Sequence, residues 1–90
     1  MPRPTPAQQH LATLTHDGRF WEVYLELEQD AAPDAGARAR LAFSPGDSAD
    51  NEPALRTAVI FIEDTPEAAV ARARRLRDHD LLSLLRSCLP

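Results

Sequence analysis

The ninety-residue chain contains no lysine; its ten basic residues are all arginine. Against them stand fourteen acidic residues, for a formal net charge of −4. A chain so charged lacks the basic face that phosphate neutralisation requires, so nucleic acid is not an expected partner. A single cysteine, Cys88, cannot close an internal disulfide. The fold must hold without one, which suits a reducing, cytoplasmic compartment. The three glycines, Gly18, Gly36 and Gly46, are scattered and form no phosphate-cradling loop. No apolar run approaches the roughly 18 residues of a membrane span, so no membrane partner is expected. The N-terminus has no basic stretch leading into an apolar one, so no secretory signal is read there. The arginine-only, alanine-rich and proline-rich usage points to a GC-rich bacterial genome, and an acidic, lysine-free surface also fits salt adaptation.

What is present is ordinary for a folded domain. Hydrophobic residues make up 43% of the chain and charged residues 27%, so wholesale disorder is not expected. A chain of this length makes one domain with a thin core, in which each large apolar side chain matters. Residues 1–6 carry three prolines and read as a flexible tail. Residues 7–90 read as a single α+β domain.

The clearest element is a strand over residues 19–28. Trp21, Val23, Leu25 and Leu27 alternate with Glu22, Tyr24, Glu26 and Glu28, and a period of two marks a half-buried strand. Residues 37–43 alternate again, with Ala37, Ala39, Leu41 and Phe43 facing inward and Arg38 and Arg40 outward. Paired antiparallel, the two strands match apolar face to apolar face. Their outer faces then set Glu26 and Glu28 near Arg38 and Arg40. A slip by one residue would bury the arginines, so register is well specified. Residues 29–36 form the connecting loop.

The segment before these strands is ambiguous. Thr5, Pro6 and Gln8 resemble a capping box opening a short helix over 6–14, with Ala7, Leu11 and Leu14 on one face. Yet Asp17 and Gly18 form a strong two-residue hairpin signal, which makes 11–15 a strand. The hairpin reading leads, because the run that follows is so plainly a strand.

Downstream, residues 44–55 form a long polar loop. Residues 56–63 read as a strand that is apolar on both faces, and such strands are usually central or covered on both sides. Thr65 or Asp64 caps a helix with Pro66 at its first position and Ala69, Val70, Ala73 and Leu76 along one stripe. The Asp78, His79, Asp80 triplet is expected to break that helix, with Asp80 capping a last one over 81–89. The fold that follows is an antiparallel three- to four-stranded meander sheet packed against two C-terminal helices, a two-layer sandwich.

Few residues invite chemistry. His16, His79 and an aspartate would be needed for a metal site, but no spacing resembles a zinc signature, and no cofactor is expected. Cys88 sits on an apolar helix face as a small hydrophobe. Ser83 and Ser87 read as polar helix positions without a base. No catalytic residue is assigned, and the chain is not expected to be an enzyme. The arginines of 72–77, with Arg72, Arg74 and Arg75 off the apolar stripe, form the one basic cluster and are candidates for an anion. Apolar residues beyond the needs of a core are candidates for an interface: Phe20, Tyr24, Val59 and Phe61 on the outer sheet face, and Leu82, Leu85 and Leu89 on the last helix. The leading expectation is a small non-enzymatic protein–protein interaction module, a homodimer or a subunit of an assembly, whose partner is itself or another protein. The alternative is a regulatory module that binds an anionic ligand through the 72–77 arginines and the 44–55 loop.

Overall fold

The computed structural model describes residues 8–28, 36–46 and 53–89. The tail over 1–6, most of the 29–36 loop and the middle of the 44–55 segment lie outside the described residues. Within them the chain is the expected α+β sandwich, an antiparallel sheet with two C-terminal helices. The strands are β1 (Gln8–His16), β2 (Arg19–Leu27), β3 (Ala37–Pro45), β4 (Leu55–Arg56) and β5 (Phe61–Glu63), followed by helices α1 (Pro66–Ala73) and α2 (Asp78–Cys88). Strands β1 to β4 follow one another across the sheet, and β5 joins β3. Ala39 pairs with Leu27 on β2 and with Phe61 on β5, so β4 and β5 share the edge of β3 that β2 leaves open.

The N-terminal ambiguity resolves as a strand. Asp17 and Gly18 both take positive φ, 52° and 74°, and make the tight turn between β1 and β2. The helix-like spacing of Leu11 and Leu14 has a physical source. Pairing runs from His10 with Tyr24 directly to Ala12 with Val23, so Leu11 is the extra residue of a bulge. The bulge lets Leu11 and Leu14, three apart, both reach the core.

One expectation is corrected: residues 56–63 are not one central strand. Ala42 pairs with Arg56 and Ala39 with Phe61, so β3 advances three residues while its neighbour advances five. The slack lies in residues 57–60, and Thr57 bridges it. Its N–H donates to Leu41 O at 3.0 Å, and its hydroxyl accepts from Leu41 N–H at 3.1 Å. Ile60 N–H then restores the ladder on Ala39 O at 3.0 Å. The segment is a sheet edge, which is why Ile60 and Ile62 are exposed.

Both helices cover the face that carries Trp21, Val23, Leu25, Leu41 and Phe43. Phe43, Leu25, Leu41, Val23 and Leu85 are fully buried there, beneath Ala69, Ala73 and Leu81. Removing each large side chain from water contributes about 1.5–3 kcal/mol. Trp21 is buried in the same layer, with Arg19 5.4 Å from its ring centroid and no hydrogen-bond partner for its Nε1 among the described residues.

Helix α1 starts as expected. Thr65 Oγ1 accepts from Ala68 N–H at 3.1 Å, and Pro66 holds the first position. The break comes earlier than the aspartates, at residues 74–77. There Arg75 N–H reaches Arg72 O and Leu76 N–H reaches Ala73 O, a tightening to three-residue spacing that ends the helix. Asp78 and Asp80 begin α2 rather than interrupting a helix. Asp80 is not the cap itself; its carboxylate reaches back to Arg77 N–H at 3.0 Å. Two acids in the first turn also oppose the positive end of the helix dipole.

Candidate functional site

Among the described residues, strand β1 forms one edge of the sheet, with β2 as its one neighbour. A two-residue turn makes His16 and Arg19 the closing hydrogen-bonded pair. Alternation along an antiparallel ladder then turns the backbone of residues 12, 14 and 16 toward β2. It turns the N–H and C=O groups of Thr13 and Thr15 outward. Those two residues, with Leu14, line one wall of a cleft of about 430 Å³. The other wall is the start of α2, with Asp78, His79 and Leu82. The cleft therefore joins unpaired strand backbone to two leucine side chains and a helix start.

The edge has an unusual composition. β1 reads Gln-Gln-His-Leu-Ala-Thr-Leu-Thr-His and contains no Asp, Glu, Lys or Arg. Exposed edge strands are usually blunted by charge, proline or shortness. At nine residues β1 is long, and among the described residues its one protective device is the bulge at Leu11.

On the outer face beside this edge, polar side chains interlock. His10 Nε2 lies 2.5 Å from Glu22 Oε2, and Thr13 Oγ1 donates to Glu22 Oε1 at 2.8 Å. The His10 ring meets Tyr24 edge-on at 5.3 Å. The Thr13 hydroxyl does most to hold the Glu22 carboxyl below its ordinary value of 4.5; desolvation opposes it, and His10 adds to the lowering through its hydrogen bond and charge. The arrangement orients an imidazole but activates no nucleophile, because Thr13 bonds to the carboxylate and not to the ring. Further along, Arg56 Nε donates to both oxygens of Glu26 at 3.0 Å, and Arg38 lies 3.3 Å from Glu28. The cross-strand pairing expected of Glu28 and Arg38 is therefore present. Glu26 faces Arg40 in register, but its carboxylate engages Arg56 from β4.

The structure separates the remaining candidates. Phe61 faces the core, not the outer surface, and is 6% exposed; Leu85 is wholly buried. Neither is available to a partner. The parity of β5 explains Phe61, since it stands opposite inward-facing Ala39 and leaves Ile62 outward. Phe20 is 60% exposed at one end of β2, while Tyr24, Val59, Leu82 and Leu89 are half-buried. Phe20 and Ile62 lie at opposite ends of the sheet, so these two exposed side chains do not join in one patch. Arg72 is paired with Glu63 at 3.4 Å, while Arg74 and Arg75 are exposed beyond the end of α1. His16 lies 3.4 Å from Asp17 and His79 3.3 Å from Asp80. Among the described residues no three His, Cys, Asp or Glu side chains gather as a metal site would require. Cys88 is a half-buried free thiol packed against the core. Sequence reasoning missed the β1 edge, although the lack of charge across residues 8–16 was there to read.

Among the described residues no helix is long and apolar enough to cross a membrane. No protein-family model, no curated protein and no solved structure matches the chain.

Proposed function

We propose that this domain is a non-enzymatic protein–protein interaction module that associates with a second copy of itself. One observation carries the reading: a nine-residue edge strand without a formal charge borders an open cleft. Unpaired strand backbone is a template for another strand, and homodimers with twofold symmetry are the commonest assemblies. The alternative, an anion held by the 72–77 arginines, has less behind it. Arg72 already neutralises Glu63, and that carboxylate shares a surface hollow with Arg72 and Arg75, where it would repel an anion.

Native mass spectrometry on the gently purified protein tests the proposal. A dimer mass at micromolar concentration is the expected outcome. A bare monomer across the accessible concentration range would overturn it. Replacing Thr15 by lysine should return the dimer to monomer, remove any concentration dependence of the melting temperature and leave the circular dichroism of the folded domain unchanged, because Thr15 is exposed and a charge there blunts the edge.

A further inference from the structure

Resting on that reading, we infer that the contact is antiparallel pairing of residues 12–16 with the same residues of a second copy, the twofold axis passing beside Leu14. Four observations lead to this register. First, Thr13 and Thr15 carry the outward backbone groups, so the hydrogen-bonded pairs across the new edge must join odd-numbered residues. Second, the bulge at Leu11 disturbs the ladder above it, which leaves 12–16 as the regular run. The arrangement that uses this whole run sets Thr13 opposite Thr15 of the second copy, Leu14 opposite Leu14, and Ala12 opposite His16. Third, this register keeps faces matched. Ala12, Leu14 and His16 remain on the helix-covered side, and the threonines remain on the outer side. Fourth, the strand carries no formal charge, so self-pairing places no like charges opposite one another. Threonine pairs across an antiparallel ladder are themselves favourable. The cleft between Thr13, Thr15 and Leu82 is the space that the incoming strand enters. The two sheets then become one continuous sheet, with the helices of both copies on the same side.

Disulfide trapping tests this arrangement. Cys88→Ala supplies a background without free thiol, and Thr13→Cys and Thr15→Cys are made separately in it. Both positions are exposed, and Cα atoms of opposed residues about 5.5 Å apart accept a disulfide. Under mild oxidation, a linked species should form when the two variants are mixed and not with either alone. Linkage of the Thr13→Cys variant to itself, or of Thr15→Cys to itself, would overturn the register. A dimer mass with no linkage in the mixture would overturn edge pairing while leaving self-association standing. A monomer mass for the unmodified protein would overturn both.

Discussion

Two single residues carry structural demands out of proportion to their size. Gly36 combines a φ of 74° with a close approach, since a Cβ there would sit 2.5 Å from the carbonyl oxygen of Glu63. Gly36→Ala should therefore destabilise by about 1–3 kcal/mol, the cost of backbone held in a sparsely populated region, with steric displacement of β5 in addition. Gly18 has the same φ but open space around it, so Gly18→Ala should cost less. Urea melts of the two variants rank them directly. Thr57 supplies the acceptor that Leu41 N–H would otherwise lack where the ladder slips. Thr57→Val should cost about 1–3 kcal/mol, because it strands a buried donor, whereas Thr57→Ser should retain most of the stability. Glu22 adds a pH signature. Its folded carboxyl titrates below the unfolded one, so its contribution is present above about pH 4.5 and lost as pH falls through the folded value. Acid melts should accordingly show a shallower loss of stability in Glu22→Gln than in the parent below pH 4.5.

At the scale of elements, what was legible depended on how regular the pairing is. β2 and β3 read plainly because each alternates along its length and one face is buried. The hairpin turn read plainly because Asp17 and Gly18 can both adopt positive φ. Where the ladder departs from regularity, a period of two or of 3.6 no longer describes the chain. The bulge at Leu11 imitated a helical spacing, and the slip over 57–60 hid an edge inside an apolar run. Ends of helices were misplaced for a related reason. Aspartate is unfavourable inside a helix and favourable in its first turn, so a cluster of aspartates marks a boundary without saying on which side the new helix starts. The open edge went unread because edge position is a property of the whole sheet, which no local window contains. Caps are the exception, since Thr65 acts within three residues of itself. Thr65→Ala should remove about 1 kcal/mol, seen as a lower melting temperature.

At the scale of the molecule, the layer between sheet and helices is one side chain deep. Phe43 is wholly buried at its centre. Phe43→Ala should cost about 3–5 kcal/mol. Domains of this kind hold on the order of 5–15 kcal/mol in total, so the variant should be largely unfolded well below the melting temperature of the parent, as circular dichroism would show. If self-pairing occurs at β1, melting temperature should also rise with protein concentration, because association stabilises the folded form by mass action.

The order of elements along the chain has a consequence for how the protein comes to be made. Every strand is synthesised before either helix, and the strands pair with near neighbours in sequence, the kind of contact that forms quickly. A fragment ending before Pro66 therefore has every described strand but, among the described residues, neither helix to lay over Trp21, Val23, Leu25, Leu41 and Phe43. Such a fragment presents a sticky surface, and α1 and α2 are the cover that keeps it from associating with other chains.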